Sequence, residues 1–170
     1  MIEIDEKKGE QKSTLNVQIR KSLALDNRQF VLKKLSLTKG NYRAQITRFL
    51  PRSFSQNLLK SGIKDISVQS LEQANIEIAE KWRSILIRSK ITTDNLPLLN
   101  KIIKKKDPST SIDCIINNPS DLNQLNATNA YLGVWIKLSL RELEDGFHWD
   151  NIEEIKTLLL SLKKNKRLNI

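Results

Sequence analysis

The chain has 170 residues, of which 39% are hydrophobic and 28% charged, a composition that predicts a folded protein and excludes an intrinsically disordered one. One cysteine, Cys114, excludes an internal disulfide framework, and no apolar run approaches the length of a membrane span. Because the first residues also lack the apolar segment of a secretory signal, we expect a cytoplasmic protein without membrane contact.

The positive charge is concentrated in one part of the chain. The formal net charge is +10, and residues 11–64 carry twelve basic side chains against a single acid, Asp26. Residues 1–10 contribute −2 and residues 65–170 contribute +1. Clustered positive charge of this kind predicts a surface that binds polyanions.

Alternating apolar residues predict β-strands in this basic segment. Apolar side chains fall mostly on odd positions over 15–25 and 31–37 and on even positions over 42–50, a period of two that is typical of half-buried strands. Turn-type residues separate the three runs. We therefore predict an antiparallel sheet of about three strands, with a pair of short helices as the alternative.

Helical patterns follow Pro51. A short helix should run through Lys60 and stop at Gly62. Ser70-x-x-Gln73 is a capping box, and it precedes an apolar stripe with helical spacing that predicts a long helix over 71–90. The stripe consists of Leu71, Ala74, Ile78, Ala79, Trp82, Ile85 and Leu86. Further helices are predicted over 96–106, about 129–144, and 150–163.

These elements predict an α+β fold class. A small N-terminal antiparallel sheet is covered by the long helix and is followed by a helical C-terminal half. The predicted regions are a basic sheet-plus-helix region at 1–91 and a helical region at 92–170, or one continuous domain. The side chains expected in the core are Val17, Ile19, Leu35, Ile46, Ala74, Ile78, Trp82, Ile85, Trp135, Leu138, Ile155 and Leu159.

The basic segment indicates the function. Arginine and lysine side chains bind phosphates and base edges, so we expect a non-enzymatic nucleic-acid-binding accessory or regulatory protein. Phosphate contacts are common to DNA and RNA, and the prediction covers both. The predicted contact residues are Arg20, Arg28, Lys33, Lys34, Arg43, Arg48, Arg52 and Lys64. Lysines at 101–106 would extend this surface if they lie beside it.

A different class of function remains open. Phe147 and Trp149 lie in the turn before the last predicted helix, and exposed aromatic residues are typical of binding hot spots. The alternative is therefore a helical protein–protein interaction or adaptor subunit that docks an acidic protein partner through these two residues. Packing of both aromatics at the junction between the helices is the simpler explanation of their position.

No pattern in the sequence identifies a reaction. One histidine and one cysteine cannot form a zinc site of the usual spacing, and the five glycines are isolated, which excludes a phosphate-binding loop. Acidic residues cluster around His148, but helix ends and N-caps account for most of them. We predict no enzymatic activity, no metal and no cofactor.

Overall fold

A parallel β-sheet with helices in its connections forms the described part of the protein. The computed structural model describes residues 42–46, 52–128, 130–140 and 145–169. The chain divides after Tyr42 into two units, and the second unit, Arg43–Ile170, contains the sheet. No helix within these ranges is long and apolar enough to cross a bilayer.

Strands and helices alternate along the second unit. In chain order they are β1 (Arg43–Ile46), α1 (Arg52–Lys60), β2 (Asp65–Val68), α2 (Leu71–Glu77), β3 (Ser84–Ile87), α3 (Leu96–Lys105), β4 (Ser111–Ile116), α4 (Pro119–Asn126), β5 (Leu132–Ile136), β6 (Leu138–Ser139), β7 (Phe147–His148), α5 (Ile152–Lys164) and β8 (Leu168–Asn169). Six strands form one sheet in the order β1-β2-β3-β4-β5-β8, and every neighbouring pair is parallel. The short strands β6 and β7 pair separately.

The predicted α+β fold with an antiparallel sheet is therefore wrong, and the arrangement is α/β. The predicted strand over 42–50 exists as β1, but it pairs in parallel with β2. Parallel neighbours need a crossover connection, and helix α1 supplies it. The other two predicted strands, at 15–25 and 31–37, lie outside the described residues.

The predicted long helix over 71–90 is also wrong. Helix α2 ends at Glu77, and the chain turns and enters strand β3. Trp82, Ile85 and Leu86 follow one another at helical spacing, which extended the apolar stripe by coincidence. Ile85 and Leu86 belong to Ser84–Ile87, a short apolar run of the kind that forms buried parallel strands.

The C-terminal half is not helical throughout. The helix predicted over about 129–144 is replaced by strand β5 and the short β6. The last predicted helix is confirmed as α5, and the one predicted over 96–106 is confirmed as α3. Strand β4 and the terminal β8 complete the sheet on this side.

The sheet has one apolar face and one polar face. Successive side chains of a strand point to opposite faces, and the register aligns Ala44, Ile66 and Ile85 in one row. These residues pack with apolar side chains of the helices in a single hydrophobic core. Leu86 is buried but does not belong to that core, because it points to the polar face.

The predicted core residues divide according to the element that carries them. Trp135 and Leu138, assigned to a helix that does not form, are 50% and 54% exposed, and Leu159 of α5 is 39% exposed. Ile155 is half-buried. The residues confirmed as buried are Ile46, Ala74, Ile78, Trp82 and Ile85. Those outside the described residues are Val17, Ile19 and Leu35.

Candidate functional site

The polar face of the sheet gathers charged and hydroxyl side chains from strands far apart in the sequence. The parallel register aligns Arg43 with Asp65, Ser84 and Ser111, and Asp113 lies one row further along. Ser84 and Asp113 are only 8% and 6% exposed. Since buried polar groups need partners, their hydrogen bonds determine how this face is built.

Asp113 is the centre of the polar face. Its Oδ2 accepts hydrogen bonds from Ser84 Oγ at 2.6 Å and from Arg43 Nη2 at 3.0 Å. Its Oδ1 accepts a further bond from Ser111 Oγ at 2.6 Å. Three donors, one of them cationic, therefore compensate the burial of this carboxylate.

Gly133 makes room for that carboxylate. A Cβ atom at this position of β5 would lie 2.3 Å from Asp113 Oδ1 and 2.9 Å from Asp113 Cγ. Any side chain there would displace the aspartate from its three donors. The glycine is therefore required by the close approach of a neighbouring side chain.

Arg43 crosses the sheet from its first strand. Nη1 donates to the carbonyl oxygen of Ile66 at 2.9 Å, and Nη2 donates to Ser84 Oγ at 2.9 Å as well as to Asp113. The guanidinium also lies over the indole of Trp135, 5.1 Å from the ring centroid, a cation–π contact. Arg43 thus links β1, β2, β3, β4 and β5.

A groove of about 480 Å³ borders this cluster at the amino-terminal ends of β4, β5 and β8. Two exposed aromatic residues line it, Tyr131 at 77% and Trp135 at 50% exposure. Two cations, Lys106 and Arg167, line it as well. The other lining residues are Pro108, Ser109, Thr110, Ser111, Ile112, Asp113, Leu132, Gly133, Val134 and Asn169.

The position of the groove differs from that of most α/β ligand sites. Open parallel sheets usually bind ligands beyond the carboxyl ends of the strands, where the strand order reverses. The order of strands in Arg43–Ile170 follows the sequence without a reversal. The candidate site is therefore formed by the polar face of the sheet and by the amino-terminal ends of β4, β5 and β8.

A second polar cluster joins helices α1 and α2. Glu77 is 4% exposed and accepts hydrogen bonds from Ser55 Oγ at 3.0 Å and Trp82 Nε1 at 3.2 Å. Burial raises the pKa of Glu77 above its ordinary value, although both hydrogen bonds and the charge of Arg52 act in the opposite direction. This cluster stabilises the fold and does not border the groove.

Glu77→Gln should change how stability depends on pH. Because the folded protein holds the Glu77 proton more tightly, this residue favours folding below the unfolded pKa of 4.5, and the contribution is lost as pH rises through the raised folded pKa. The Tm of the variant minus that of the parent should therefore increase between about pH 4 and about pH 8. Glu153→Gln, at a side chain that is 83% exposed, is the matched control. An unchanging difference would contradict the prediction.

The structure places three of the predicted nucleic-acid-binding residues. Arg43 belongs to the Asp113 cluster, and Arg52 forms an ion pair with Glu80 at 2.7 Å. Lys64 is exposed in the segment that precedes β2. These three therefore do not form one cluster. The predicted residues outside the described part of the chain are Arg20, Arg28, Lys33, Lys34 and Arg48.

The two predicted partner-binding residues lie in different environments. Phe147, in β7, is 2% exposed and belongs to the hydrophobic core. Trp149 is 56% exposed, and its backbone N–H donates to the carbonyl of Ser139. Two further exposed apolar residues lie close to Trp149. Ile152 is three residues further along the chain, and Leu140 directly follows β6, which pairs with β7.

Cys114 and His148 are among the residues that could serve nucleophilic or metal chemistry in the described ranges. Burial, with a smaller effect of the Asp113 charge, raises the pKa of Cys114 to about 12, so its thiol is protonated at neutral pH. His148 contacts the carboxylate of Asp150. No group of three or more residues within 42–46, 52–128, 130–140 and 145–169 is arranged to hold a metal ion.

The groove was not predicted from the sequence. Tyr131 and Gly133 lie where the sequence predicts a helix over about 129–144, and Asp113 lies in a short apolar stretch without a motif. A Ser-x-Asp pattern inside a short apolar strand, at Ser111 and Asp113, was the available signal. A polar residue at every second position of a strand indicates a second, polar face.

Two comparisons, with protein families and with curated proteins, identify no relative. No protein-family model matches the chain, and no curated protein matches its sequence.

Proposed function

We propose that this protein is a non-enzymatic nucleic-acid-binding accessory or regulatory protein of the cytoplasm. The observation that carries the proposal is the segregation of charge, twelve basic residues against one acid in residues 11–64 of a chain whose net charge is +10. A density of cations this high attracts phosphate backbones at long range and releases their counterions on contact. The single cysteine fits a reducing compartment.

Two of the basic residues in this segment are already ion-paired. Arg43 bonds to Asp113 and Arg52 to Glu80, and a phosphate would have to compete with these carboxylates. We therefore assign both arginines a structural role. Phosphate contact is proposed for Arg20, Arg28, Lys33, Lys34, Arg48 and Lys64.

The proposed function is binding without a chemical reaction. Asp113 accepts hydrogen bonds from three side chains, so its carboxylate is occupied as an acceptor and poorly placed to act as a base. Cys114 is buried with a pKa raised to about 12. Binding, rather than catalysis, is what these residues support.

Binding to duplex DNA should depend strongly on salt. If about six phosphates are neutralised, the logarithm of the association constant should fall against the logarithm of the salt concentration with a slope of about −5 on duplex and about −4 on single strands. The double change Lys33→Gln with Lys34→Gln should reduce the magnitude of the slope by about 2 on duplex. Fluorescence anisotropy across a salt series measures both.

The control changes the same charge elsewhere. Lys163→Gln with Lys164→Gln alters two exposed residues at the end of α5, outside the basic segment, and should leave the slope nearly unchanged. A flat salt response in the parent protein would overturn the proposal. Retention of one acidic protein after nuclease treatment, abolished by Trp149→Ala, would instead support the adaptor alternative.

A further inference from the structure

We propose that the groove beside the Asp113 cluster binds unpaired nucleobases, so that the protein prefers single-stranded nucleic acid over duplex. The inference rests on the proposed function, and it adds a site and a substrate class to it. Tyr131 and Trp135 are its stacking surfaces, and Lys106 and Arg167 are its phosphate-facing cations. All of these residues belong to the unit Arg43–Ile170.

The two aromatic side chains lie on the same face of the sheet with a gap between them. Tyr131 directly precedes β5 and Trp135 is its fourth residue, so side-chain alternation puts both on the face that Gly133 also shares. Four residues of extended chain span about 13 Å. The Asp113 carboxylate fills the space over Gly133 between the two rings, so Tyr131 and Trp135 are stacking surfaces for two separate bases.

Trp135 is oriented before any ligand arrives. The guanidinium of Arg43 covers its ring at 5.1 Å, and that guanidinium is in turn fixed by Asp113 and the carbonyl of Ile66. Half of the indole nevertheless remains exposed. A stacking surface that is already ordered loses little entropy when a base binds to it.

The remaining groups of the groove suit a nucleotide strand. Lys106 donates through Nζ to the carbonyl of Thr110 at 2.8 Å, which fixes its charge at the groove. Arg167 also lines the groove and is exposed. The hydroxyl of Ser109 and the amide of Asn169 can bond to base edges. The charge of Asp113, which would repel phosphate, is compensated by Arg43.

Stacking explains why single strands would be preferred. In a duplex the faces of the bases are covered by their neighbours, whereas unpaired bases present a free face to an aromatic side chain. A binding site that combines cations with exposed aromatic rings is typical of proteins that hold single strands without sequence preference.

The test separates bases from phosphates. The full-length protein is titrated with a 12-nucleotide oligothymidine and with an abasic oligonucleotide of the same length and charge. We expect tighter binding of the oligothymidine by about tenfold, quenching of tryptophan fluorescence by it alone, and loss of that advantage in Tyr131→Leu and in Trp135→Leu. Tyr131→Phe, which keeps the ring, should retain it.

Trp149→Leu, at an exposed tryptophan outside the groove, is the matched control and should bind like the parent. Equal binding of the two oligonucleotides, or unchanged preference in both leucine variants, would overturn the inference while leaving the proposed function intact. Failure of the parent to bind either oligonucleotide or duplex would overturn both. Circular dichroism of each variant verifies that it is folded.

Discussion

Ile87→Ala is expected to lower the free energy of unfolding by about 2–4 kcal/mol. Ile87 is fully buried in β3, where it lies in the hydrophobic core between β2 and β4. Removing three methyl or methylene groups from such a site costs transfer free energy and leaves a cavity. Urea denaturation followed by circular dichroism measures the change.

The same experiment distinguishes the strand from the helix that the sequence predicted. On the predicted helix Ala79 lies on the apolar stripe and Ile87 does not, whereas the structure exposes Ala79 and buries Ile87. Ala79→Gln should therefore change the free energy of unfolding by no more than about 0.5 kcal/mol. A large loss in Ala79→Gln with a small one in Ile87→Ala would favour the helix.

Gly133→Ala should destabilise the protein by about 1–3 kcal/mol, because its Cβ would collide with a short side chain in a packed site. The new atom would lie 2.3 Å from Asp113 Oδ1 and 3.3 Å from Asp113 Cβ, so rotation of the carboxylate alone cannot relieve the contact. Displacing Asp113 also removes the ion-pair partner of Arg43, whose side chain is only 19% exposed. Thermal and urea denaturation measure the loss.

A double-mutant cycle gives the control for this prediction. Asp113→Ala alone should be destabilising, since it leaves Arg43 and two serine hydroxyls without their acceptor. Once the carboxylate is absent, Gly133→Ala has less to displace, and the double variant should be more stable than the sum of the single effects by about 1 kcal/mol. Strict additivity would mean that the glycine does not act through Asp113.

Local signals in the sequence located several elements correctly. Ser70 caps helix α2 by accepting a hydrogen bond from the backbone N–H of Gln73, and Gly62 has the positive φ of 85° that ends the preceding turn. Alternation in β1 also held, because Ile46 is buried and Arg43 points to the opposite face. These features depend on residues within a few positions of one another.

What failed depends on partners distant in the sequence. Strand β3, Ser84–Ile87, pairs with β2 on one side and β4 on the other, and this pairing limits the length of α2. The helical spacing of apolar residues in 71–90 does not reveal the pairing. The candidate site has the same character. The bond from Arg43 to Asp113 joins residues 70 positions apart, and the register that aligns them follows from the complete sheet.

The order of the strands has a consequence for how the second unit folds. Strands β1 to β5 begin at residues 43, 65, 84, 111 and 132, and each pairs with the next one along the chain. Contacts between successive strands close short loops, so the contact order of this topology is low for a parallel sheet. A destabilising substitution in β5 would therefore act first on its neighbours β4 and β8. It would also act directly on β1, because the guanidinium of Arg43 lies over Trp135 of β5.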